Sequence, residues 1–412
     1  MEERFYRRTQ KLVRETLGCK ALLTNMNGVV YPIVYQRVRA ELHDFVDEHY
    51  YIDHPEFLGT RWWGPPYTFP NVNPLKGRDA GVPNATIRRI FGKPFTVSEY
   101  RYCGPGRYRA ISGTLTGAMA SLQDWSALWH FAWSHGPDGI VRPETTKSVG
   151  MFDVSGDPIA QLAERTVAAL FLRGDVRPLA TASGVRLDRA DLTRIDGPYG
   201  LWQTRQQAGF AGAAWRTRIG MFLGAEPDGV TDVGTYPAVD NLSAEAVGPS
   251  ASSESGVTVC TDTGTLTVAT PRSCAVFAEG GACRAGALAV ELGSEPAAVA
   301  CISVDGKPLA ESRRLLVTHL TDVQNTGVTY ADERRNILLK PGNLPLLVRA
   351  GEARVSLSVG RGEWEVWALS TTGAHRMRVP CEATEKGLVF VADVSRDPVC
   401  ATLAYEVRAK EP

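Results

Sequence analysis

Helix and strand patterns alternate over residues 3–174, and this alternation restricts the chain to few folds. Short apolar strand patterns are separated by amphipathic helical patterns, with strands at 20–25, 44–51, 93–100 and 127–134 and helices at 3–17, 34–43, 83–91, 108–123 and 158–172. This alternation is typical of parallel sheets built from βα units. The last helix has clear end signals, with Asp157 as N-cap, Pro158 at its first position and Gly174 after its end.

A complete eight-stranded βα barrel needs about 250 residues. Four strand patterns precede residue 175, and the chain opens inside a helical pattern. The first part is therefore interpreted as α/β, with residues 1–175 forming strands 5–8 of a partial (β/α)8 TIM barrel. Such a half-barrel would expose two strand edges, which favours a homo-oligomer or another association through those edges.

The pattern changes in the second part of the chain. Residues 176–245 contain Gly, Pro and Arg throughout and predict an irregular connecting segment, and 244–256 is rich in Ser, Gly and Ala. Nine short strand patterns separated by turn residues follow, at 257–260, 265–270, 288–292, 299–304, 314–321, 353–358, 363–369, 389–394 and 401–407. Residues 246–412 are therefore predicted to form an all-β module, a C-terminal β-sandwich.

Composition argues against several classes of function. The formal net charge is +0 and the pI is about 7.0, so no basic field indicates nucleic acid or an anionic membrane as partner. No apolar run approaches the about 20 residues of a membrane span. The N-terminal residues contain no signal core, and localisation stays open because a secreted or periplasmic protein would carry its signal at a true N-terminus that this chain would lack.

Eight cysteines occur without a Cys-x-x-Cys pair, which argues against a zinc ribbon or a redox motif. Buried free thiols are the default interpretation. Disulfides among the six cysteines beyond residue 250 are the alternative if the protein is exported. No metal site and no cofactor are predicted.

The candidate site lies where the predicted parallel strands end, because barrel active sites form at the carboxyl ends of strands. In 93–100, Glu99 shares a face with Phe95 and Val97, so a carboxylate follows an apolar row. A buried charge is costly unless it is paired or used, and a solvated Glu at a strand–loop junction is the alternative. The other predicted strand ends and the aromatic loop after residue 51 contribute Asn25, His49, Tyr51, His54, Trp62, Tyr100, Trp133 and His135.

One carboxylate among several His, Tyr and Trp side chains is typical of a carbohydrate site. Aromatic faces stack on the apolar faces of sugar rings, and polar side chains bind the hydroxyls. A loop that packs on itself is the alternative for His54, Trp62 and Trp63. Trp129 and Phe131 are predicted to lie in the core.

Several motifs resemble bacterial clan A glycoside hydrolases, especially cellulase-like and agarase-like members. The resemblance rests on Lys-Pro-Phe-Thr-Val-Ser-Glu-Tyr at 93–100, Ala-Met-Ala-Ser-Leu-Gln-Asp-Trp at 118–125, Trp-His-Phe-Ala-Trp-Ser at 129–134 and Asp-Glu-His-Tyr-Tyr-Ile-Asp-His-Pro at 47–55. It implies a retaining enzyme of carbohydrate metabolism that cleaves O-glycosidic bonds in a poly- or oligosaccharide. It also implies roles for three positions: Glu99 as nucleophile, His49 and Tyr51 as groups that orient it or bind substrate, and Trp133 as a sugar platform.

The chain departs from that family at the general acid/base, which is a Glu preceded by Asn. No Asn-Glu dipeptide occurs in the sequence, and Glu48, Asp53 and Glu56 do not match the motif. A retaining glycosidase needs two carboxyl groups about 5–5.5 Å apart. The chain is therefore interpreted as a fragment that contains the nucleophile without its acid/base.

Two alternatives stay open. One is a non-catalytic carbohydrate-binding or structural protein derived from such an enzyme. A metal or nucleotide enzyme is the weaker one, because His49 and His54 lack the helical spacing of a metal pair and Gly104-Pro-Gly106 is an isolated fragment.

Overall fold

The computed structural model describes residues 2–24, 35–59, 63–76, 81–137, 148–188, 212–235, 250–252 and 254–410. Its helices are α1 Glu2–Lys11, α2 Tyr35–Leu42, α3 Gly81–Thr86, α4 Ser112–Leu122 and α5 Pro158–Val167. Helices α1 and α5 continue into the π-helical turns Leu12–Thr16 and Ala168–Leu172, and a 3-10 turn at Arg109–Ile111 precedes α4. Within the described ranges, no helix is long and apolar enough to span a bilayer.

Strands make up most of the regular structure. The strands before residue 236 are β1 Val46–Ile52, β2 Glu56–Phe57, β3 Tyr67–Thr68, β4 Phe95–Tyr102, β5 Ala127–His130, β6 Ala182–Leu187, β7 Arg218–Leu223 and β8 Thr231–Thr235. The later strands are β9 Ser250–Ser252, β10 Val257–Cys260, β11 Thr265–Ala269, β12 Ser273–Ala278, β13 Gly281–Ala285, β14 Leu288–Leu292, β15 Ala297–Ser303, β16 Arg314–Leu320, β17 Val323–Thr326, β18 Thr329–Tyr330, β19 Ile337–Lys340, β20 Asn343–Val348, β21 Glu352–Ser358, β22 Trp364–Leu369, β23 His375–Val379, β24 Cys381–Thr384, β25 Gly387–Asp393 and β26 Ala404–Ala409.

The predicted partial (β/α)8 TIM barrel is wrong. The described chain consists mainly of strands in several sheets, and α4, the longest α-helix when the π-helical turns are not counted, has only 11 residues. Among the described residues before 176, only β1, β4 and β5 join in a parallel sheet, in the order β1-β4-β5, and residues 20–24 form no strand. The alternating pattern predicted parallel neighbours, but a local pattern does not encode how many strands join a sheet or whether the sheet closes.

A second parallel sheet lies where the sequence predicted irregular structure. Within 176–245, strands β6, β7 and β8 form a sheet in the order β7-β6-β8. The glycines that weaken a strand prediction stand inside these strands: Gly184 lies against Phe222 and Val230, and Gly220 lies against Phe91 and Arg89. Close packing of that kind favours glycine in a strand.

The C-terminal strands form two large sheets that share a core. A nine-stranded sheet has the order β23-β22-β26-β16-β15-β12-β11-β10-β9, and a five-stranded sheet has the order β13-β14-β21-β25-β24. Strand β12 is buried on both faces because its side chains alternate between two cores. Cys274 and Val276 pack toward the five-stranded sheet, whereas Ala275 and Phe277 join the core that contains Met119 of α4. The nine-stranded sheet is therefore a middle layer.

The loop that follows β1 is fixed by the C-terminal part of the chain. Strand β3 pairs with β19, with Thr68 opposite Ile337, in a sheet of order β18-β19-β3-β2. The Asn71 side-chain amide donates to the Arg334 carbonyl oxygen at 2.8 Å. These contacts hold the loop after β1 beside the carboxyl ends of β1, β4 and β5.

The cysteines and the last helix can be compared directly with the sequence. All eight cysteines lie in described ranges and are free thiols. The predicted cap of α5 is confirmed, because the Asp157 carboxylate accepts from the Ala160 backbone N–H at 3.3 Å and Pro158 occupies the first turn. All nine strands predicted after residue 256 are present within a few residues.

A buried histidine in β16 makes stability depend on pH. His319 donates from Nδ1 to the Ala392 carbonyl oxygen at 2.8 Å, and burial lowers its pKa to about 4. Below pH 6.5 the unfolded chain binds a proton that the folded chain does not, so stability is lost as pH falls from 6.5 to about 4. We expect this histidine to account for about 3 kcal/mol of that loss.

Urea unfolding at both ends of that pH window tests this expectation. His319→Gln should lose less free energy of unfolding on acidification than the unmodified protein. Asn343→Gln, at an exposed side chain that does not titrate, is the control for the substitution itself and should leave the difference unchanged. If His319→Gln and the unmodified protein lost the same free energy of unfolding on acidification, His319 would not be the source of the pH dependence.

Candidate functional site

The centre of the candidate site is the Glu99 carboxylate on β4. Strand β1 runs parallel to β4 with His49 opposite Glu99. The Tyr51 hydroxyl donates to Glu99 Oε2, and His49 Nδ1 lies 3.0 Å from the same oxygen. Among the described residues, Glu99 Oε1 has no hydrogen-bond partner, and the side chain is 28% exposed. The site therefore holds one carboxylate oxygen and leaves the other accessible.

His49 is oriented by a chain of hydrogen bonds behind it. The Ser98 hydroxyl donates to Asp47 Oδ2 at 2.5 Å, so Ser98 Oγ is left to accept from His49 Nε2 at 3.1 Å. This arrangement directs His49 Nδ1 toward Glu99. Burial lowers the pKa of His49, and the nearby Glu99 charge only partly offsets that effect.

A bulge in β4 permits this arrangement. Glu48 is opposite Val97 and His49 is opposite Glu99, so Ser98 is the extra residue, and such a bulge redirects the side chains that follow it. Glu48 is fully buried and forms ion pairs with Arg39 at 2.5 Å and with Arg88 at 2.8 Å. Glu48 is thus a structural carboxylate, whereas His49 and Tyr51 face Glu99.

Aromatic rings cover one side of the carboxylate. The ring of Tyr51 makes edge contacts with Phe131 at 6.1 Å and with Phe152 at 5.6 Å between centroids. We call the connected group the ring cluster; its members are Tyr51, His54, Trp63, Phe131, His135 and Phe152. The imidazole of His135 is in turn held by Asp153 at 2.6 Å. The cluster joins side chains from the ends of β1 and β5 and from two loops.

The structure brings together five of the predicted site residues: Glu99, His49, Tyr51, His54 and His135. Tyr100 does not join them, because it follows Glu99 in β4 and points to the opposite, buried face, where its hydroxyl donates to Glu164. Trp133 lines a separate cavity with Glu164. Asn25 and Trp62 lie outside the described residues.

The sequence did not predict some residues of the site, and its placement of Trp129 in the core was wrong. Trp129 is 55% exposed rather than in the core. Phe152 and Asp153 lie in a loop without periodic pattern, so no sequence signal marks them. Ser98 could have been found, because it directly precedes Glu99 and a serine beside a strand-end carboxylate can orient a neighbouring imidazole.

Asp53 and Glu56, the two described carboxyl groups of the loop after β1, do not contact Glu99. Asp53 is buried and accepts from the Asn71 backbone N–H at 2.7 Å, and burial raises its pKa to about 6. Glu56 is exposed on β2. Within the described ranges neither is bonded to Glu99, and no three His, Cys, Asp or Glu side chains converge as a metal site.

Comparisons with known proteins give no relative for this chain. No protein-family model matches it, and neither curated proteins nor solved structures provide a match. The interpretation of the site therefore depends on its own geometry.

Proposed function

We propose that the Glu99 site binds a saccharide and that Glu99 is the nucleophile of a retaining glycoside hydrolase acting on O-glycosidic bonds of a poly- or oligosaccharide. The observation that carries the proposal is a partly exposed carboxylate whose Oε2 is held by Tyr51 and His49 while Oε1 stays accessible. The ring cluster beside it offers apolar faces to a sugar. Because function resides in sites rather than folds, the correction of the barrel prediction leaves this proposal intact.

The reaction would proceed in two displacements. Glu99 Oε1 attacks the anomeric carbon, the glycosidic carbon–oxygen bond breaks, and the leaving oxygen takes a proton from an acid. Water then attacks the anomeric carbon of the glycosyl-enzyme, gives a proton to a base, and releases Glu99 as a carboxylate. Burial and the Glu99 hydrogen bond both raise the pKa of Tyr51, so its hydroxyl stays protonated and donates to Oε2 throughout.

The first displacement can be tested without the acid. A dinitrophenyl 2-deoxy-2-fluoroglycoside has a leaving group that departs without protonation, and its fluorine slows release of the trapped sugar. We expect one glycosyl unit to be added when the chain is incubated with a panel of gluco-, galacto-, xylo- and mannosides. Peptide mapping should place the label on Glu99. The proposal would be contradicted if the label were found on another residue, or if no sugar of the panel labelled the chain.

A second candidate function is non-catalytic saccharide binding. It is favoured by one observation: within the described ranges, Glu99 is bonded only to His49 and Tyr51 and not to a second carboxyl group. Under this alternative, Glu99→Gln weakens saccharide binding about tenfold, because a charged hydrogen-bonding group is lost, and no covalent label forms on the unmodified chain.

A further inference from the structure

We propose a second saccharide-binding site on the opposite face of the β1-β4-β5 sheet. A cavity of about 190 Å³ lies between the end of β5, the loop before α5, and α5 itself. Its walls are formed by His130, Trp133, Val154, Gln161, Glu164 and Arg165. This inference goes beyond the proposed function, since binding here needs no reaction at Glu99.

The two sites are separated by the sheet. Glu99 and Tyr100 are neighbours in β4, so their side chains point to opposite faces. The Tyr100 hydroxyl donates to Glu164 Oε1 at 2.5 Å, which places Glu164 on the face away from Glu99. A ligand in the cavity would therefore leave Glu99 open.

Glu164 supplies the cavity with a fixed acceptor. Oε1 already accepts from Tyr100 and lies 2.7 Å from His130 Nδ1, whereas Oε2 has no hydrogen-bond partner among the described residues. The side chain is 30% exposed. Burial raises the pKa of Glu164, but the hydrogen bonds from His130 and Tyr100 outweigh it, so the net shift is downward and the carboxylate stays charged.

His130 forms one wall of the cavity, and its hydrogen bonds fix which ring nitrogen carries the proton. Arg101 Nη1 lies 3.2 Å from His130 Nε2, and because a guanidinium can only donate, Nε2 accepts and Nδ1 carries the proton given to Glu164. The imidazole stacks on Tyr100 with a centroid distance of 4.6 Å and an angle of 16°. Burial lowers the pKa of His130 more than Glu164 raises it, which keeps the ring neutral. Glu164 is thereby held in one orientation.

The remaining walls indicate the class of ligand. The indole of Trp133 is 52% exposed and offers an apolar face, and the exposed Arg165 offers donors. The Gln161 amide nitrogen is used by the carbonyl oxygens of Val154 and Ser155, at 3.1 and 3.0 Å, so its oxygen remains as an acceptor. One carboxylate and one guanidinium give the walls no net charge, so the walls do not select an ammonium or a phosphate. An aromatic face with acceptors and donors at its edge suits one ring of a neutral saccharide.

Fluorine NMR of the full chain containing 5-fluorotryptophan tests this site. Trp133 is assigned by the resonance that disappears in Trp133→Phe, and the probes are cello-, xylo-, manno- and agaro-tetraose. We expect at least one probe to shift the Trp133 resonance saturably. Arg165→Ala and Glu164→Gln should weaken that binding about tenfold or more, since each removes a charged hydrogen-bonding group.

Glu99→Gln is the control for independence and should leave the affinity read at Trp133 unchanged. Arg165 is exposed, so its substitution tests the site even if Glu164→Gln perturbs folding. The proposal is overturned if no probe moves the Trp133 resonance, or if Arg165→Ala binds as tightly as the unmodified chain. Covalent labelling of Glu99 is measured by mass spectrometry, whereas binding in the cavity is measured by the Trp133 resonance. Failure of the proposed function and failure of the second site can therefore be told apart.

Discussion

Glu99→Gln is expected to reduce formation of the glycosyl-enzyme from an activated fluoroglycoside by about 10⁴-fold or more, as removal of a covalent nucleophile does in other enzymes. The amide keeps nearly the same shape and can still accept from Tyr51, so the ring cluster should stay in place. What is lost is the negative oxygen that attacks the anomeric carbon. Intact-protein mass spectrometry against time measures the effect.

Glu56→Gln is the matched control, because it makes the same chemical change at an exposed carboxylate of the neighbouring strand β2. It should be labelled at the rate of the unmodified chain. If Glu99→Gln is labelled at that rate too, Glu99 is not the nucleophile.

The role of Glu99 can also be established by replacing it with an external nucleophile. In Glu99→Ala, azide can enter the vacated space and attack the anomeric carbon of an unfluorinated dinitrophenyl glycoside, expelling dinitrophenolate. A single displacement inverts the configuration, so the glycosyl azide should be inverted, as expected for loss of a nucleophile. A retained azide would instead assign Glu99 as the acid/base.

The sequence predicted the local parts of this site and failed on the long-range ones. The strand patterns at 93–100 and 44–51 correctly indicated parallel neighbours. The predicted face of Glu99 was wrong, because the bulge at Ser98 places Glu99 beside His49 and Tyr51, whereas Phe95 and Val97 lie in the buried core. How many strands join such a sheet depends on pairings between distant segments. The pairing of β3 with β19, with Thr68 opposite Ile337, has no local signature in either strand.

The networks of side-chain contacts could not be predicted from the sequence either. Glu48 and His49 point to opposite sides of β1, and Glu48 is paired with arginines, one of which, Arg88, lies 40 residues later in the chain. Asp157 was correctly read as a helix cap, since capping is a short-range interaction. Its second role, as the counter-ion of two buried arginines, could not be read from the same pattern.

Asp157→Asn is expected to destabilise the folded chain by about 3–5 kcal/mol, because it leaves buried cations without their counter-ion. Asp157 Oδ2 accepts from Arg101 at 2.8 Å and from Arg109 at 2.9 Å, and all three side chains are buried. Burial raises the pKa of Asp157, but Arg109 and Arg101 outweigh it and the net shift is downward. Arg109 keeps a distant partner, Asp322 at 3.7 Å, whereas Arg101 is left with neutral acceptors.

Two further variants separate the charge from the helix cap. Asparagine can still cap α5, so Asp157→Ala should cost about 1 kcal/mol more than Asp157→Asn. Asp153→Asn makes the same chemical change at a partly exposed partner of His135 and should cost at most about 1 kcal/mol. Urea denaturation at neutral pH, with the slope held in common, gives the three free energies of unfolding. Equal losses in Asp157→Asn and Asp153→Asn would show that Asp157 stabilises the chain as a cap and not as the counter-ion that fixes Arg101 behind His130.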